Sequence, residues 1–220
     1  MKKAFFLDRD GVLNEEGDEE TGILFEPEKV RLTPGAGEAV KKIHEAGYLA
    51  IVVSNQGAVA LSWYTMEDVY AVEKRLCELL REESGHTPDA FYYCPHHRKG
   101  VIPELSTYCE NRKPGPGMLL KAAKQWDIDL SSSFMIGDRL TDMQAGTNAQ
   151  CAGCCFVLTG HGKKDEESVR KEGFSVKETR HHIRKWESAA HDKAAAYGKR
   201  QVLLYPQKRC KIYRPGNGKE

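Results

Sequence analysis

Residues 4–14 read Ala-Phe-Phe-Leu-Asp-Arg-Asp-Gly-Val-Leu-Asn, and no other stretch constrains the fold as strongly. A run of Ala4 to Leu7 without a polar residue predicts a short strand covered on both faces, as in the interior of a parallel sheet. Asp8 and Asp10 then stand at the carboxyl end of that strand, where open α/β sheets keep their ligand sites. Two carboxylates this close repel each other, and a bound cation is the expected compensation.

The rest of the chain alternates strand and helix. Pro34-Gly35 opens a helix over Ala36–Ala46, ended by Gly47. Tyr48–Val53 is a second apolar strand, followed by Ser54-Asn55-Gln56. Thr65 and Asp68 have the spacing of a capping box, with a helix behind them to about Glu83. Phe91–Tyr93, Phe134–Ile136 and Cys154–Leu158 read as further strands, and Met118–Trp126 and Leu140–Ala145 as helices. The segment 94–117 is irregular. This order predicts an α/β fold, a Rossmann-like parallel sheet with helices on both faces. The interval between the first two strands has no room for a large cap domain.

The chain has 220 residues, 30% of them charged. No apolar run approaches the roughly 20 residues of a membrane span. Met1-Lys2-Lys3 is basic, but the apolar stretch behind it ends at Asp8, so it reads as a strand and not a signal peptide, and a cytoplasmic protein without a membrane partner is expected. Seven cysteines, an odd number, fit a reducing compartment better than a disulfide framework. Cys151-Ala-Gly-Cys154 has the spacing of a redox or metal pair, yet its small apolar setting favours core packing.

Charge is unevenly spread. Residues 1–162 hold 17 Lys and Arg against 24 Asp and Glu, a balance of −7, whereas 163–220 hold 16 against 8, a balance of +8. The expected organisation is one α/β domain over 1–162 and a basic extension over 163–220, partly helical or disordered. Tracts such as 179–185 and 206–220 read as exposed helix or loose tail, and His181-His182 as a solvated helix face. The tail's charge leaves nucleic acid open as a partner, though none is expected. A monomer is expected.

Four polar groups fall at successive strand ends or helix starts: Asp8-x-Asp10-Gly-Val, Ser54-Asn55, Lys113-Pro114 and Gly137-Asp138-Arg-Leu-Thr-Asp142. In this order they resemble the four motifs of the haloacid dehalogenase superfamily, over roughly residues 3–162. For Asp142 a helix N-terminal acid is the other reading. The resemblance implies a phosphatase in which Asp8 attacks phosphorus and forms an aspartyl-phosphate. Asp10 protonates the leaving alkoxide and later activates water. Mg2+ is held by Asp8, Asp10 through its main-chain carbonyl, and Asp138. Ser54 and Lys113 bind the equatorial phosphoryl oxygens. Asn55, Gln56, Arg112 and Arg139 are the candidate substrate contacts, Arg112 on a second phosphate or a sugar hydroxyl.

A finer resemblance lies in Tyr93-Cys94-Pro95-His96-His97 and in Cys109-Glu110-Asn111-Arg112-Lys113-Pro114-Gly115-Pro116-Gly117. These look like the zinc loop that precedes the third motif in the D-glycero-D-manno-heptose 1,7-bisphosphate phosphatase family, kin of histidinol-phosphate phosphatase. Cys94, His96 and Cys109 match three zinc ligands. The fourth position is Asn111, a poor zinc ligand, so the site is either completed by water, Glu110 or His97, or has lost its metal. Other departures are an acid-rich and longer loop at Glu15–Gly22, Leu61 where a basic residue is often found, and Arg139 in place of a substrate-contacting lysine. A motif of the form Gly137-Asp138-Arg139-x-Thr-Asp142 is found more in the histidinol branch.

The implied activity is Mg2+-dependent hydrolysis of a small sugar phosphate, the best match being removal of the 7-phosphate from D-glycero-D-manno-heptose 1,7-bisphosphate. A histidinol-phosphate or broad-specificity phosphatase is the alternative within the class. A phosphate-binding scaffold recruiting a partner through the basic tail is the alternative outside it.

Overall fold

The computed structural model describes residues 1–18 and 21–179, together with 202–205 and 210–215. In chain order the elements are β1 (Ala4–Leu7), α1 (Ala36–Glu45), β2 (Leu49–Asn55), α2 (Met66–Ser84), β3 (Ala90–Cys94), α3 (Gly117–Trp126), β4 (Phe134–Gly137), α4 (Leu140–Asn148), β5 (Gly153–Val157), α5 (Gly162–Lys171), β6 (Phe174–Thr179), β7 (Val202–Tyr205) and β8 (Cys210–Pro215). The sheet runs β3-β2-β1-β4-β5-β7-β8-β6. The first five strands are parallel, with β1 at the centre, Phe6 opposite Ile51 on one side and Met135 on the other.

Side-chain alternation along these strands builds two cores. Phe5, Leu7, Ala50 and Val52 point to one face and bury Val40 and Ile43 of α1 with Val72, Leu76 and Leu80 of α2. Phe6, Ile51, Val53, Met135 and Phe156 point to the other, against Met118 and Leu119 of α3, Met143 of α4 and Val169 of α5. Cys151, Cys154 and Cys155 are buried in these cores, as their apolar setting implied. Between β1 and β2 the described residues hold only irregular chain, a 3-10 turn at Pro27–Lys29 and α1, so no cap domain is inserted there.

The capping box at the start of α2 forms as the spacing implies. Thr65 accepts from the Asp68 amide, and the Asp68 carboxylate accepts from the Thr65 amide at 2.8 Å. Gly85, in the left-handed region, closes the helix. Beyond β5 the structure places α5, then β6, β7 and β8, the last within the 206–220 tract, with β7 parallel to β5 and β8 antiparallel to both β7 and β6. Most of the 179–185 tract, with His181-His182, lies outside the described residues. Among the described residues no helix is long and apolar enough to cross a membrane.

Thr65→Ala removes one half of the box on a helix whose inner face carries much of one core. It is expected to lower the unfolding free energy by about 1 kcal/mol, read by chemical denaturation.

Candidate active site

The site forms where β1, β2 and β4 end together. Asp8 leaves β1 with its amide donating to the Ile136 carbonyl at 2.9 Å, which locks the strand end to β4. One turn of chain beyond β4, Asp138 and Asp142 lie fully buried. The carboxylates of Asp8, Asp138 and Asp142 offer oxygen atoms within 4.8 Å of one another. Burial pushes the Asp8 carboxyl up to about 6, with Lys113 opposing and Asp142 and Asp10 adding to the rise. Burial first, and then Asp8 and Asp142, hold Asp138 well above the usual carboxylate range.

A single ammonium enters this cluster. Lys113 Nζ lies 3.0 Å from Asp8 Oδ2 and 2.7 Å from Asp142 Oδ1. Burial pulls its pKa down, but Asp142 and Asp8 outweigh that and keep it raised. The lysine is delivered by a backbone clamp: Asn55 Oδ1 accepts from the Lys113 amide at 2.9 Å and Asn55 Nδ2 donates to the Lys113 carbonyl at 3.0 Å. Asn55, a candidate substrate contact by sequence, therefore has its amide engaged by the third motif.

Asp142 is the N-terminal acid of α4 and also faces the third motif. Oδ2 accepts from the Arg139 amide at 3.0 Å and starts α4, while Oδ1 faces Lys113. Its carboxylate reaches that far because residue 137 is glycine: a methyl carbon there would stand 2.2 Å from Asp142 Cβ.

Asp138 Oδ2 accepts from the His161 amide at 2.7 Å, and Oδ1 has no hydrogen-bond partner. Gly11, with φ +79, allows the loop after β1 to pass over this carboxylate, since a methyl carbon there would stand 2.2 Å from Oδ2. A buried, orphaned carboxylate oxygen facing two other acids is the donor chemistry of a hard divalent cation, so these residues fit Mg2+.

Asp10 sits higher, a quarter exposed. Arg9, itself buried, donates to it twice, at 3.1 Å from Nε and 3.0 Å from Nη2. Asn14 Nδ2 donates at 2.9 Å and Gln56 Nε2 at 3.1 Å. Gln56 Nε2 also reaches Ser54 Oγ at 2.9 Å, and Tyr64 donates to Gln56 Oε1 at 2.6 Å. Gln56 thus joins Ser54 to Asp10. Arg9, Asn14 and Tyr64 escaped the sequence reading. Arg9 carried a signal, an arginine between two acids, whereas Tyr64 reaches the site only through tertiary folding.

Two arginines border the site. Arg112 donates to the His96 carbonyl at 3.0 Å and packs over Gly57, where a methyl carbon would stand 2.5 Å from Nη1. Arg139 is half exposed, with Nη2 at 3.0 and 2.9 Å from the His161 ring nitrogens.

In the loop before the third motif, Cys94, His96 and Cys109 gather their ligand atoms within 4.8 Å, with Cys94 Sγ 3.6 Å from His96 Nδ1. Burial pushes the Cys94 thiol up to about 11. Neither Glu110 nor His97 belongs to that cluster. Asn111 Oδ1 lies against Gly117, where a methyl carbon would meet it at 2.5 Å.

A parallel sheet with paired acids after its central strand, and a lysine and further acids from neighbouring loops, defines a haloacid dehalogenase-like hydrolase. The model of the HAD-hydrolase-like family matches residues 110–184. The chain is 40% identical over 166 residues to the D-glycero-D-manno-heptose-1,7-bisphosphate 7-phosphatase of Thermosynechococcus vestitus, covering 74% of this chain and 82% of that protein. It is 38% identical over 174 residues to the β-anomer 7-phosphatase of Pasteurella multocida, covering 77% and 91%. The crystal structure of D,D-heptose 1,7-bisphosphate phosphatase from B. bronchiseptica, complexed with magnesium and phosphate, superposes with a TM-score of 0.65 at 30% identity, covering 76% and 86%. The chain belongs to the D-glycero-D-manno-heptose-1,7-bisphosphate 7-phosphatase family of phosphatases.

The raised Asp8 carboxyl sets a pH dependence of stability in the metal-free protein. Because the folded state holds this proton more tightly than the unfolded chain, the contribution of Asp8 is fully present below about pH 4 and is lost as pH rises through about 6. Asp8→Asn abolishes that loss. In chelator, the variant's unfolding free energy relative to wild type is expected to rise by up to roughly 3 kcal/mol between pH 4 and 7.

Proposed function

We propose that the chain is a Mg2+-dependent phosphomonoesterase that removes the 7-phosphate of D-glycero-D-manno-heptose 1,7-bisphosphate through an aspartyl-phosphate on Asp8. The observation that carries this reading is the Asp8 carboxylate, held by Lys113 at 3.0 Å beside an Asp138 whose Oδ1 has no partner. The names of the relatives support the heptose bisphosphate over histidinol phosphate.

In this reading Asp8 Oδ2 attacks phosphorus and the sugar hydroxyl departs. Lys113, ionised between two acids, orients the nucleophile and meets the charge that gathers on the equatorial oxygens. Ser54 Oγ offers a second contact to those oxygens. Asp10 gives its proton to the leaving alkoxide and takes one from the water that opens the acyl phosphate. The paired guanidinium of Arg9 and the Gln56 amide hold that carboxyl in place. Asn55 acts as a positioning residue for Lys113. Arg112 and Arg139 receive the distal part of the substrate. Asp8, Asp138 and the main-chain carbonyl of Asp10 would hold Mg2+, which when bound screens carboxylate–phosphate repulsion.

Zinc in the loop fits the same reading. With bonds of about 2.3 Å to sulfur and about 2.05 Å to nitrogen, a tetrahedral metal sets these atoms about 3.6 Å apart. The Cys94–His96 distance is 3.6 Å. Cys94, His96 and Cys109 would hold the ion, and water would complete it.

Asp8→Asn is expected to reduce phosphate release to background, and Asp142→Asn to lower kcat by about 10²-fold by leaving Lys113 held by Asp8 alone. Assay of a phosphorylated-metabolite panel tests the substrate: equal turnover of histidinol phosphate would sink the heptose reading. Elemental analysis of purified protein is expected to find zinc near stoichiometry; less than about 0.2 zinc per chain with activity intact would refute the loop site.

A further inference from the structure

The acid-rich loop after β1 carries a residue that none of the proposed catalytic steps uses. Glu16 touches His161 Nδ1 through its Oε1, which also lies 3.8 Å from Arg139 Nη2. The loop is folded back to keep it there. The Gly17 amide donates to the Gly22 carbonyl at 3.4 Å and the Asp18 amide to the Ile23 carbonyl at 3.1 Å. Gly22 packs so tightly on His161 that a methyl carbon would come within 3.2 Å of Cε1. His161 is tied by its own amide to Asp138 Oδ2, so this cluster directly adjoins the acid centre. Glu16, Asp138 and His161 bring ligand atoms within 4.8 Å of one another, but Arg139 Nη2, 3.0 Å from His161 Nδ1, already brings a cation to that cluster. The seat therefore suits an anion, and in the free protein the anion is the chain's own carboxylate.

We propose that Glu16 is a specificity-determining residue, an internal carboxylate that holds the Arg139–His161 seat until a second anionic group of the substrate displaces it. This rests on the reading of Arg139 as a substrate contact. The pairing favours exchange. Glu16 offers Arg139 one oxygen at 3.8 Å, beyond hydrogen-bond range, whereas a phosphate offers a guanidinium two parallel bonds and a larger charge. The guanidinium is half exposed, so the competing anion has access. A monophosphate has no group to make the exchange and leaves Glu16 in place. Glu16 therefore taxes the binding of a bisphosphate and leaves that of a monophosphate untaxed.

The test measures competition by fructose 1,6-bisphosphate and by fructose 6-phosphate against hydrolysis of p-nitrophenyl phosphate, in the Mg2+-loaded full chain. The readout is the ratio of the two inhibition constants. Glu16→Gln is expected to shift that ratio about three- to ten-fold toward the bisphosphate, and Glu16→Asp, which keeps the charge, to stay near wild type. A ratio unchanged in Glu16→Gln, or shifted toward the monophosphate, overturns the proposal. If Arg139→Met is made in the Glu16→Gln background, the gain should vanish; a gain that survives also overturns it. The outcome is separate from the substrate reading. A wild-type chain that ignores heptose bisphosphate while the ratio shifts as expected faults that reading alone.

Discussion

The site depends on one buried ammonium. Asp8, Asp138 and Asp142 bring three buried carboxylates together, and Lys113 supplies one positive charge between two of them. With all three ionised, the cluster carries two negative charges in excess. A divalent cation cancels that excess, and without it protons do part of the work, which is what the raised Asp8 and Asp138 carboxyls express. Removing Lys113 leaves Asp8 and Asp142 buried without their cation, the costly case for buried ion pairs. Ionisation of Asp8, which the proposed attack requires, therefore rests on Lys113 and a cation working against burial, and it is a property of four residues from three separate loops.

Those loops are held by the two cores. Phe6 packs toward α3 and α4 while Phe5 and Leu7 pack toward α1 and α2, so β1 is fixed from both faces before Asp8 emerges. The bond from the Asp8 amide to the Ile136 carbonyl carries that rigidity across to the fourth motif. Asn55 does the same from β2 to the third, pinning the backbone of Lys113 from both sides. Placing a reactive group by strand ends and backbone bonds leaves its side chain few alternatives, which is the preorganisation that phosphoryl transfer needs.

Period and polarity made much of this readable in advance. An all-apolar run such as Ala4–Leu7 has one comfortable environment, and the acids after it had to fall at its end. The Thr65–Asp68 box is a local interaction, so spacing alone was enough to find it. What was not readable is what depends on pairs distant in sequence. The reach of Asp142 to Lys113, the clamp of Asn55 and the Tyr64–Gln56–Asp10 chain all join residues that only the folded sheet brings together. Asn55 and Gln56 entered as candidate substrate contacts through the family resemblance, which says nothing of their partners within the protein. Here their donors and acceptors are engaged by the protein. The three strands after α5 went unread for another reason: short runs such as Val202–Tyr205 sit inside a basic, polar stretch whose overall composition reads as a tail.

The division of labour between the two acids of the opening motif follows from burial. Asp8 is the more buried, and in the proposed mechanism Lys113 and a metal must hold it ionised to attack. Asp10 stands a quarter exposed and is surrounded by donors from Arg9, Asn14 and Gln56. Four donors orient the carboxyl group that, in the proposed mechanism, passes a proton in one step and recovers it in the next, and its exposure leaves room for the water of the second step. One intervening residue sets this difference. Arg9 gives its amide to Asp8 Oδ1 at 2.7 Å and its buried guanidinium to Asp10, so one residue ties the two acids differently, as the proposed nucleophile and proton carrier require.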